Sequence, residues 1–412
     1  MTFIVKKLKG AKLKKIDYQI GVGDLRITPL AKKYVNQVLN SNRLSYGPFM
    51  EKFEREFAKL HNRKYAILVN SGTSALRIAV ACLKELNNWK DGDEILVPAV
   101  TFVATANVVL DHNLKPVFVD VDPKTYNIDP NKIEEKITAK TRAIIPVHLM
   151  GLPAEMKPIS KIAKKYNLKI IEDSCETMFV KYRGHPVGSF SDISCFSTYI
   201  AHLLVTGVGG FALTNNSEYA IVLKSLANHG RDSIYLHIDD DKNVDKQHLF
   251  KIVLRRFRFV RPGYSFRLTE MEAAIGLAQL QDKDQILRKR QENAKFFIKR
   301  LEPYKEYLQL PSWPSYSEHA FMLFPIVVKN PKIKKKDLVL FLEENNIETR
   351  DLMPLINQPI YLKLYGNLEK DYPVARWINE NGFYIGCHQY LTDFEKNYIV
   401  AKFEEFFKKR IK

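Results

Sequence analysis

The sequence predicts an α/β fold in which helices cover a mainly parallel central sheet. Two observations carry this prediction: short apolar segments rich in β-branched side chains recur along the first two-thirds of the chain, and amphipathic segments separate them. Strands that alternate with helices usually run parallel and bury both faces. The predicted strands are residues 65–70, 94–100, 116–121, 143–148, 168–172, 193–198 and 210–214, with helices such as 74–86 and 154–166 between them.

The periodicity changes in the last third of the chain. One long segment predicts a single helix, and beyond it a strand and two further helices are expected to pack around a small sheet. We therefore predict two domains, residues 1–285 and residues 286–412, of which the second is a smaller α+β unit. The segments are 269–290 for the long helix, 320–328 for the strand, and 335–345 and 392–407 for the later helices.

The charge distribution makes a nucleic-acid partner unexpected. The 412 residues carry a formal net charge of +18, but Lys and Arg are spread along the whole chain, often beside acidic residues. No dense basic segment interleaves with aromatic side chains, as nucleic-acid binding would require. A Lys-rich solvated surface with some attraction for a phosphorylated substrate explains the charge better.

Two features favour a cytoplasmic protein without a membrane partner. No apolar segment approaches the ~18–20 residues that span a bilayer, and the basic N-terminus lacks the apolar core of a signal peptide. The cysteines are widely spaced and form no CxxC pair, so neither a disulfide framework nor a metal site is expected. They are Cys82, Cys175, Cys195 and Cys387.

Two segments have the residue types of a cofactor site. Asn70-Ser71-Gly72-Thr73-Ser74-Ala75-Leu76 predicts a strand, a turn and a helix, whose N-terminal N–H groups could cradle a phosphate. An ordinary Ser or Thr helix cap explains the same residues. Phe102 follows a predicted strand and could stack on a flat ring, although an aromatic in the core is the commoner case.

Two further segments carry acidic and basic candidates. Glu172-Asp173 ends an apolar strand, where a carboxylate could pair with a protonated ring nitrogen or merely cap the next segment. Residues 195–211 join a hydroxyl-rich turn, His202 and a glycine-rich run that lets the backbone approach a ligand.

In this order, these segments resemble the DegT/DnrJ/EryC1/StrS sugar aminotransferase family of fold-type-I pyridoxal-phosphate enzymes. The resemblance runs from about Ile20 to about Phe406. It implies an aspartate-aminotransferase-like large domain, an activity on nucleotide-linked sugars and pyridoxal phosphate as cofactor. Other matching segments are Arg43-Leu44-Ser45-Tyr46-Gly47-Pro48, Asn228-His229-Gly230-Arg231, Gly263-Tyr264-Ser265-Phe266-Arg267 and residues 269–280.

The resemblance also implies roles for single residues around the cofactor. Gly72 and Thr73 would hold its phosphate, with help from Ser197. Phe102 would stack on the pyridine ring, and Asp173 would pair with the ring nitrogen.

A second group of implied roles involves the substrate and the other subunit. Asn228 would reach the phosphate of the cofactor bound by that subunit, which implies a homodimer. Tyr264 and Arg267 are candidates for contacting the substrate diphosphate. Glu176 stands where the aminotransferases commonly have a cofactor-binding Gln, and Arg350 lies in a C-terminal stretch that could approach the substrate.

The most informative departure from the family pattern is His202, which stands where the family usually has lysine. The chain has no lysine between Lys181 and Lys224, so a one-residue slip cannot restore it. A lysine holds the cofactor covalently and shuttles protons, whereas a histidine can only do the latter. We therefore expect non-covalent cofactor, chiefly pyridoxamine phosphate.

Histidine at this position resembles the sugar 3-dehydratases of the same family. One subgroup carries an iron–sulfur cluster, for which this chain lacks closely spaced cysteines. The other needs no cluster and acts in colitose biosynthesis. The resemblance then implies that a 4-keto-6-deoxy sugar loses its C3 hydroxyl, that His202 is the base and that glutamate regenerates pyridoxamine phosphate.

Two alternatives stay open. The chain could be an ordinary nucleotide-sugar aminotransferase with another proton shuttle. It could also be a catalytically retired homologue that binds the cofactor or a sugar nucleotide, although a scaffold has no need to keep Phe102, Asp173 and Ser197.

Overall fold

The computed structural model describes residues 15–234, 236 and 239–410, and it confirms the predicted α/β class. Residues 1–14, which carry most of the segment used to judge a signal peptide, lie outside the described residues. None of the described helices is both long enough and apolar enough to cross a membrane.

Thirteen strands occur in the described part of the chain, and they form three sheets. The predicted strands of the main sheet are confirmed to within a few residues at each end. The strands are β1 (Tyr65–Val69), β2 (Glu94–Pro98), β3 (Lys115–Val119), β4 (Thr141–Ile144), β5 (Lys169–Asp173), β6 (Lys181–Tyr182), β7 (His185–Pro186), β8 (Ile193–Ser197), β9 (Gly210–Thr214), β10 (Leu308–Gln309), β11 (Leu323–Val328), β12 (Thr349–Asp351) and β13 (Gly382–Gly386).

The main sheet has seven strands in the order β1-β9-β8-β5-β4-β2-β3. Its neighbours pair in parallel except at β9, which runs antiparallel to both β1 and β8. Because most strands run in the same direction, the carboxyl ends of β1, β2, β4, β5 and β8 lie along the same side of the sheet. Ligands of open parallel sheets bind at this carboxyl edge.

The helices of the described residues cover both the main sheet and a smaller second one. Helices 74–86 and 154–166 of the sequence prediction are confirmed with small shifts. The helices are α1 (Pro29–Ser41), α2 (Pro48–Leu60), α3 (Gly72–Leu86), α4 (Ala104–Leu110), α5 (Met156–Lys165), α6 (Ser217–Ala227), α7 (Lys246–Arg255), α8 (Glu270–Leu280), α9 (Lys283–Leu301), α10 (Lys335–Glu344), α11 (Pro359–Tyr365), α12 (Pro373–Asn381) and α13 (Asp393–Arg410).

The long helix predicted at residues 269–290 is wrong, because the structure has two helices, α8 and α9, that break at Gln281 and Asp282. The two helices bury their apolar faces in different clusters. Leu277 of α8 packs with the main-sheet core, whereas Phe297 of α9 packs with the core of the second sheet. Gln279 also ties the end of α8 down, since its side chain bonds both the N–H and the carbonyl of Val205. One straight helix could not reach both cores.

The second sheet has four antiparallel strands in the order β10-β11-β13-β12. Its core includes residues of α9, α10 and α13 and also Ile16 and Ile20 from the start of the described chain. Ile20 pairs with Ile347 beside β12. The domain boundary near residue 285 stays a prediction.

A buried histidine, His61, lies under the main sheet at the end of α2. Its ring packs against Phe57 and Phe196, with ring centroids 4.7 Å and 4.3 Å away. Nδ1 lies 2.8 Å from the carbonyl oxygen of Val187, so Nδ1 carries the proton and donates it. Nε2 is buried without a hydrogen-bond partner among the described residues, and burial lowers the pKa of His61 to about 4.

We expect His61 to make folding sensitive to acid. The unfolded pKa of about 6.5 lies above the folded value, so its contribution is complete above pH 6.5 and is lost as the pH falls towards 4. Replacing His61 with Phe should reduce the acid-induced loss of unfolding free energy by about 3 kcal/mol. Denaturant titrations from pH 7 to pH 4 measure this difference. The matched change His185→Phe, at an exposed strand residue, should leave the pH dependence unchanged, and equal slopes for all three proteins would contradict the assignment.

Candidate active site

A cavity of about 550 Å³ lies at the carboxyl edge of the main sheet, where residues of the second sheet close it. Seven of the ten residues to which the resemblance gives a role line it, and so does Arg350, whose C-terminal stretch was expected to approach the substrate. The fold thus brings together side chains far apart in the sequence. The predicted residues at the cavity are Gly72, Thr73, Phe102, Asp173, Glu176, Ser197 and His202, and the other lining residues include Val22, Ser71, Thr101, Thr105, Val147, Cys175, Tyr199, Met322, Arg350, Met353 and Tyr384.

The N-terminus of α3 forms one wall of the cavity. Ser71 caps the helix, because its Oγ accepts a hydrogen bond of 3.0 Å from the N–H of Ser74. Gly72, the first residue of α3, lies close to the end of β8. A Cβ at Gly72 would lie 2.7 Å from Cβ of Ser197 and 2.7 Å from Sγ of Cys175. Glycine therefore lets the N-terminal N–H groups, which lack partners within the helix, face the cavity beside Ser197.

The two acidic residues at the end of β5 have different surroundings: Glu172 is bonded inside the protein, whereas Asp173 lines the cavity. Glu172 is fully buried and accepts hydrogen bonds from the N–H of Gly188 at 2.9 Å and from Ser191 Oγ at 2.7 Å. His148 Nδ1 accepts from the N–H of Ala154, so Nε2 carries the proton that it donates to Glu172 at 3.0 Å. Although burial opposes ionisation, these bonds and the positive charge of Arg63 hold the pKa of Glu172 below its usual range.

Asp173 is the member of the pair that lines the cavity. Thr105 Oγ1 donates to its Oδ2 at 2.8 Å, and the N–H of Cys175 donates to its Oδ1 at 3.2 Å. Burial raises the pKa of Asp173 above its usual range, against the effect of the hydrogen bonds from Cys175 and Thr105. Among the described residues no lysine or arginine forms an ion pair with it. A cationic ligand group in the cavity would stabilise the carboxylate.

Phe102 lines the cavity with an exposed ring. The side chain is 58% exposed, so its placement in the core, which the sequence left open, is wrong. A large exposed aromatic in a cavity can supply a flat apolar face to a ligand ring.

His202 stands on the turn after β8, where its N–H donates to the carbonyl of Tyr199 at 2.9 Å. The residue is partly exposed, but its Nδ1 is enclosed and makes no hydrogen bond to any described residue. Burial, together with the positive charge of Arg290, lowers the pKa of His202 to about 4. The imidazole is therefore neutral at pH 7 and free to accept a proton.

Glu176 lies in the same cavity and accepts a hydrogen bond of 2.7 Å from the N–H of Met150. Burial raises its pKa to about 7, and the negative charge of Asp173 adds to the effect. Near neutral pH the carboxyl group exists in both forms, so that it can donate or accept a hydrogen bond as a glutamine amide does.

The three remaining predicted residues lie together elsewhere in the chain and do not line this cavity. Arg267 Nη1 donates to Asn228 Oδ1 at 3.1 Å, and Arg267 Nη2 donates to Ser265 Oγ at 3.0 Å. Tyr264 stacks on Phe266, with ring centroids 4.6 Å apart. Their roles stay predictions.

The sequence prediction missed the residue that holds Asp173, which is Thr105. Its hydroxyl also lies 3.0 Å from Thr101 Oγ1, so that the two threonines form a short chain towards the carboxylate. The sequence stretch around Phe102 contained both threonines, but only the fold shows which side chains face Asp173. Tyr384 was also missed, because β13 reaches the cavity from the second sheet.

The cavity residues fit pyridoxal or pyridoxamine phosphate. A helix N-terminus with Ser197 suits a phosphate, and the exposed ring of Phe102 suits a flat heterocycle. Asp173, buried without a lysine or arginine partner among the described residues, suits a protonated ring nitrogen. The enclosed Nδ1 of His202 leaves a proton acceptor in place of a lysine amine.

Comparisons with known proteins agree with this fit. The sequence profile of the DegT/DnrJ/EryC1/StrS aminotransferase family matches residues 26–404. GDP-perosamine synthase of Escherichia coli O157:H7 is 32% identical over 384 residues, covering 92% of this chain and 96% of that protein. GDP-4-keto-6-deoxy-D-mannose 3-dehydratase of Yersinia pseudotuberculosis is 31% identical over 364 residues, covering 86% and 90%.

A solved structure gives the same answer for the fold. Escherichia coli GDP-4-keto-6-deoxy-D-mannose-3-dehydratase with bound hydrated pyridoxal phosphate has a TM-score of 0.83 and 28% sequence identity, over 94% of this chain and all of that chain. The similarity confirms the expected fold-type-I architecture. Since the family profile covers most of the sequence, this chain belongs to the DegT/DnrJ/EryC1/StrS aminotransferase family.

Proposed function

We propose that this protein is a nucleotide-sugar 3-dehydratase that uses pyridoxal and pyridoxamine phosphate without a covalent attachment. The observation that carries the proposal is that His202 lines the cavity, while no lysine is among the described lining residues. The sequence resemblance puts His202 where the family usually has a lysine. The overall reaction balances: the sugar exchanges its C3 hydroxyl for hydrogen, glutamate becomes 2-oxoglutarate, and ammonia is released.

The proposed substrate is a GDP-linked 4-keto-6-deoxy hexose. Two relatives with about a third of their residues identical act, by their names, on GDP-linked sugars. The sequence motifs leave the nucleotide open, so this choice rests on the names of the relatives.

When bound, pyridoxamine phosphate supplies an amine for the sugar's keto group and a ring that withdraws electrons from the reacting carbon. Gly72, Thr73 and Ser197 hold the phosphate in this proposal, and Phe102 covers the ring. Asp173, positioned by Thr105, keeps the ring nitrogen protonated. Glu176 donates or accepts a hydrogen bond at the ring's substituents, since its pKa lies near 7.

His202 is the base of the proposed reaction. Its imidazole is neutral at physiological pH and accepts a proton at a ring nitrogen in the step that expels the C3 hydroxyl. A lysine would instead bind the cofactor covalently and deliver the proton to the sugar's former carbonyl carbon, which completes amino transfer. Replacing lysine by histidine therefore separates proton removal from covalent binding.

An ordinary aminotransferase is the second candidate function. It is favoured by the 32% identity with GDP-perosamine synthase, which equals the identity with the dehydratase to within 1%. A catalytically retired homologue fits less well, because the helix N-terminus at Gly72, the carboxyl group of Asp173 and the exposed ring of Phe102 all line one cavity.

Substitutions of His202 distinguish these functions. His202→Asn should lower kcat for C3 dehydration by about 100- to 10,000-fold, because the base is lost, while pyridoxamine phosphate still binds. His202→Lys should bind pyridoxal phosphate covalently, with an absorbance band that borohydride abolishes, and should not dehydrate faster than the native protein. Product formation by NMR and cofactor absorbance measure both effects. Faster dehydration by the lysine variant would contradict the role of His202.

We also propose a cytoplasmic homodimer in which Asn228 serves the cofactor site of the other subunit. Asn228 is buried and held by Arg267, yet neither residue lines the cavity of its own chain. The segment that follows exposes large apolar side chains, among them Phe250, Leu254 and Phe257, as an unpaired monomer surface seldom does.

Complementation between subunits tests this arrangement. The variants His202→Asn and Asn228→Ala should each be impaired as homodimers. A heterodimer purified through two different tags should recover about half of the native activity, because twofold symmetry gives it one intact site. If Asn228 acts within its own chain, every site of the heterodimer keeps one defect and no activity returns.

A further inference from the structure

A fully buried arginine joins the turn that carries His202 to the start of a strand in the second sheet. Arg290 lies on α9, and only 1% of the residue is exposed. Its Nη1 donates to the carbonyl oxygens of Met322 at 2.7 Å and Phe321 at 3.3 Å, which immediately precede β11. Its Nη2 donates to the carbonyl oxygen of His202 at 3.3 Å. One side chain therefore bonds the backbone on both sides of this contact.

The partners of Arg290 are uncharged, which is unusual for a buried cation. Nε donates to Oε1 of Gln389 at 2.9 Å, and no carboxylate of the described residues forms an ion pair with the guanidinium. Burial lowers the pKa of Arg290 to about 10, so the guanidinium stays charged at pH 7. Burying a cation among neutral partners costs free energy that an apolar side chain would not cost. Such an arginine indicates that its charge or its fork of donors serves the residues that it contacts.

The charge of Arg290 acts on the imidazole of His202. It adds to the effect of burial, which lowers the pKa of His202 to about 4, and no carboxylate of the described residues opposes it. On the turn itself the titratable neighbour is Tyr199, whose ring centroid lies 6.2 Å from that of the imidazole. The titratable groups that face Arg290 from the segment after β13 are Cys387, His388 and Tyr390.

We propose that Arg290 is a positioning residue for His202, because its guanidinium fastens the turn of this base to the second sheet and so keeps the imidazole at the cavity. The charge of the guanidinium also keeps the imidazole unprotonated and ready to accept a proton. This inference rests on the proposed function, in which His202 is the base. The same guanidinium fixes the backbone of Met322, which lines the cavity, so the base and the wall that closes the cavity are held together.

The protonation of His202 measures the effect of the charge without any turnover. NMR follows the histidines of the full-length protein as purified, and the signal of His202 is identified by its absence from His202→Asn. Arg290→Gln removes the charge, so the midpoint of the His202 titration should rise by about one pH unit. Arg290→Lys keeps the charge and should shift the midpoint by less than about half a unit. An unchanged midpoint in folded Arg290→Gln would overturn the proposal.

A single turnover measures the effect of the donor fork. Protein loaded with pyridoxamine phosphate is mixed with GDP-4-keto-6-deoxy-mannose, and the rate is expressed per bound cofactor. Arg290→Lys should lower the maximal rate about 10-fold and leave the half-saturating sugar concentration unchanged, because a lysine lacks the planar fork that holds the turn. A native maximal rate per site would contradict the positioning role.

Arg63→Lys is the matched control for the loss of a buried arginine. Arg63 is also buried and donates to the carbonyl oxygens of Gly188 at 2.6 Å and Ser191 at 2.9 Å. It forms no hydrogen bond with the turn of His202 among the described residues. This variant should lose stability but keep the native midpoint of His202 and the native rate per site. If it changed both as Arg290→Lys and Arg290→Gln do, the effects would be general ones of destabilisation, and the proposal would be wrong.

A milder variant keeps the test decisive if neither substituted arginine folds. Gln389→Leu removes one acceptor of the guanidinium and leaves Arg290 in place, so the maximal rate should fall about threefold. An undiminished rate would count against the proposal. Native protein that forms no 3-deoxy sugar would refute the proposed function, whereas the NMR midpoints would still decide whether Arg290 acts on His202.

Discussion

The close approach of backbones at the carboxyl edge of the main sheet is the constraint on which the site depends. At Gly72 a side chain would collide with Ser197 and Cys175, and at Gly210 a Cβ would lie 2.5 Å from the carbonyl carbon of Ser71. Because no side chains separate them, the N-terminus of α3 lies directly against the last residue of β8 and the first residue of β9. The helix N-terminus, the acid at the end of β5 and the hydroxyl at the end of β8 therefore lie in one layer, which a second sheet can close from above.

Within that layer, burial decides the charge of each group. Glu172 keeps its charge because His148, Ser191 and the backbone supply hydrogen bonds, whereas Asp173 and Glu176 have too few and their pKa values rise. Burial moves His202 in the opposite direction, to a neutral base. The cavity thus holds carboxyl groups that a cationic ligand group would ionise and an imidazole that accepts protons, and Arg350 also lines it. This pattern suits chemistry in which a ligand supplies the missing charge.

The strands of the main sheet could be predicted because alternating periodicity is a local signal, and seven residues of its cavity were predicted because ordered motifs resemble those of a known family. The sequence-based prediction was wrong or incomplete for features that depend on tertiary packing. The break between α8 and α9 follows from two cores in different directions, and no glycine or proline marks it. Thr105 and Tyr384 were missed because their contact with the cavity depends on helix orientation and on the approach of the second sheet. Asn228, Tyr264 and Arg267 were grouped with the site through the family resemblance, and one chain alone does not bring them there.

We propose that a histidine in place of lysine directs this family's chemistry to loss of an oxygen. The most direct measurement follows GDP-4-keto-6-deoxy-mannose with glutamate and pyridoxal phosphate by NMR, together with the ammonia released. We expect a 3-deoxy-4-keto sugar and one ammonia for each 2-oxoglutarate formed. A 4-amino sugar, with 2-oxoglutarate but no free ammonia, would contradict it and identify an aminotransferase.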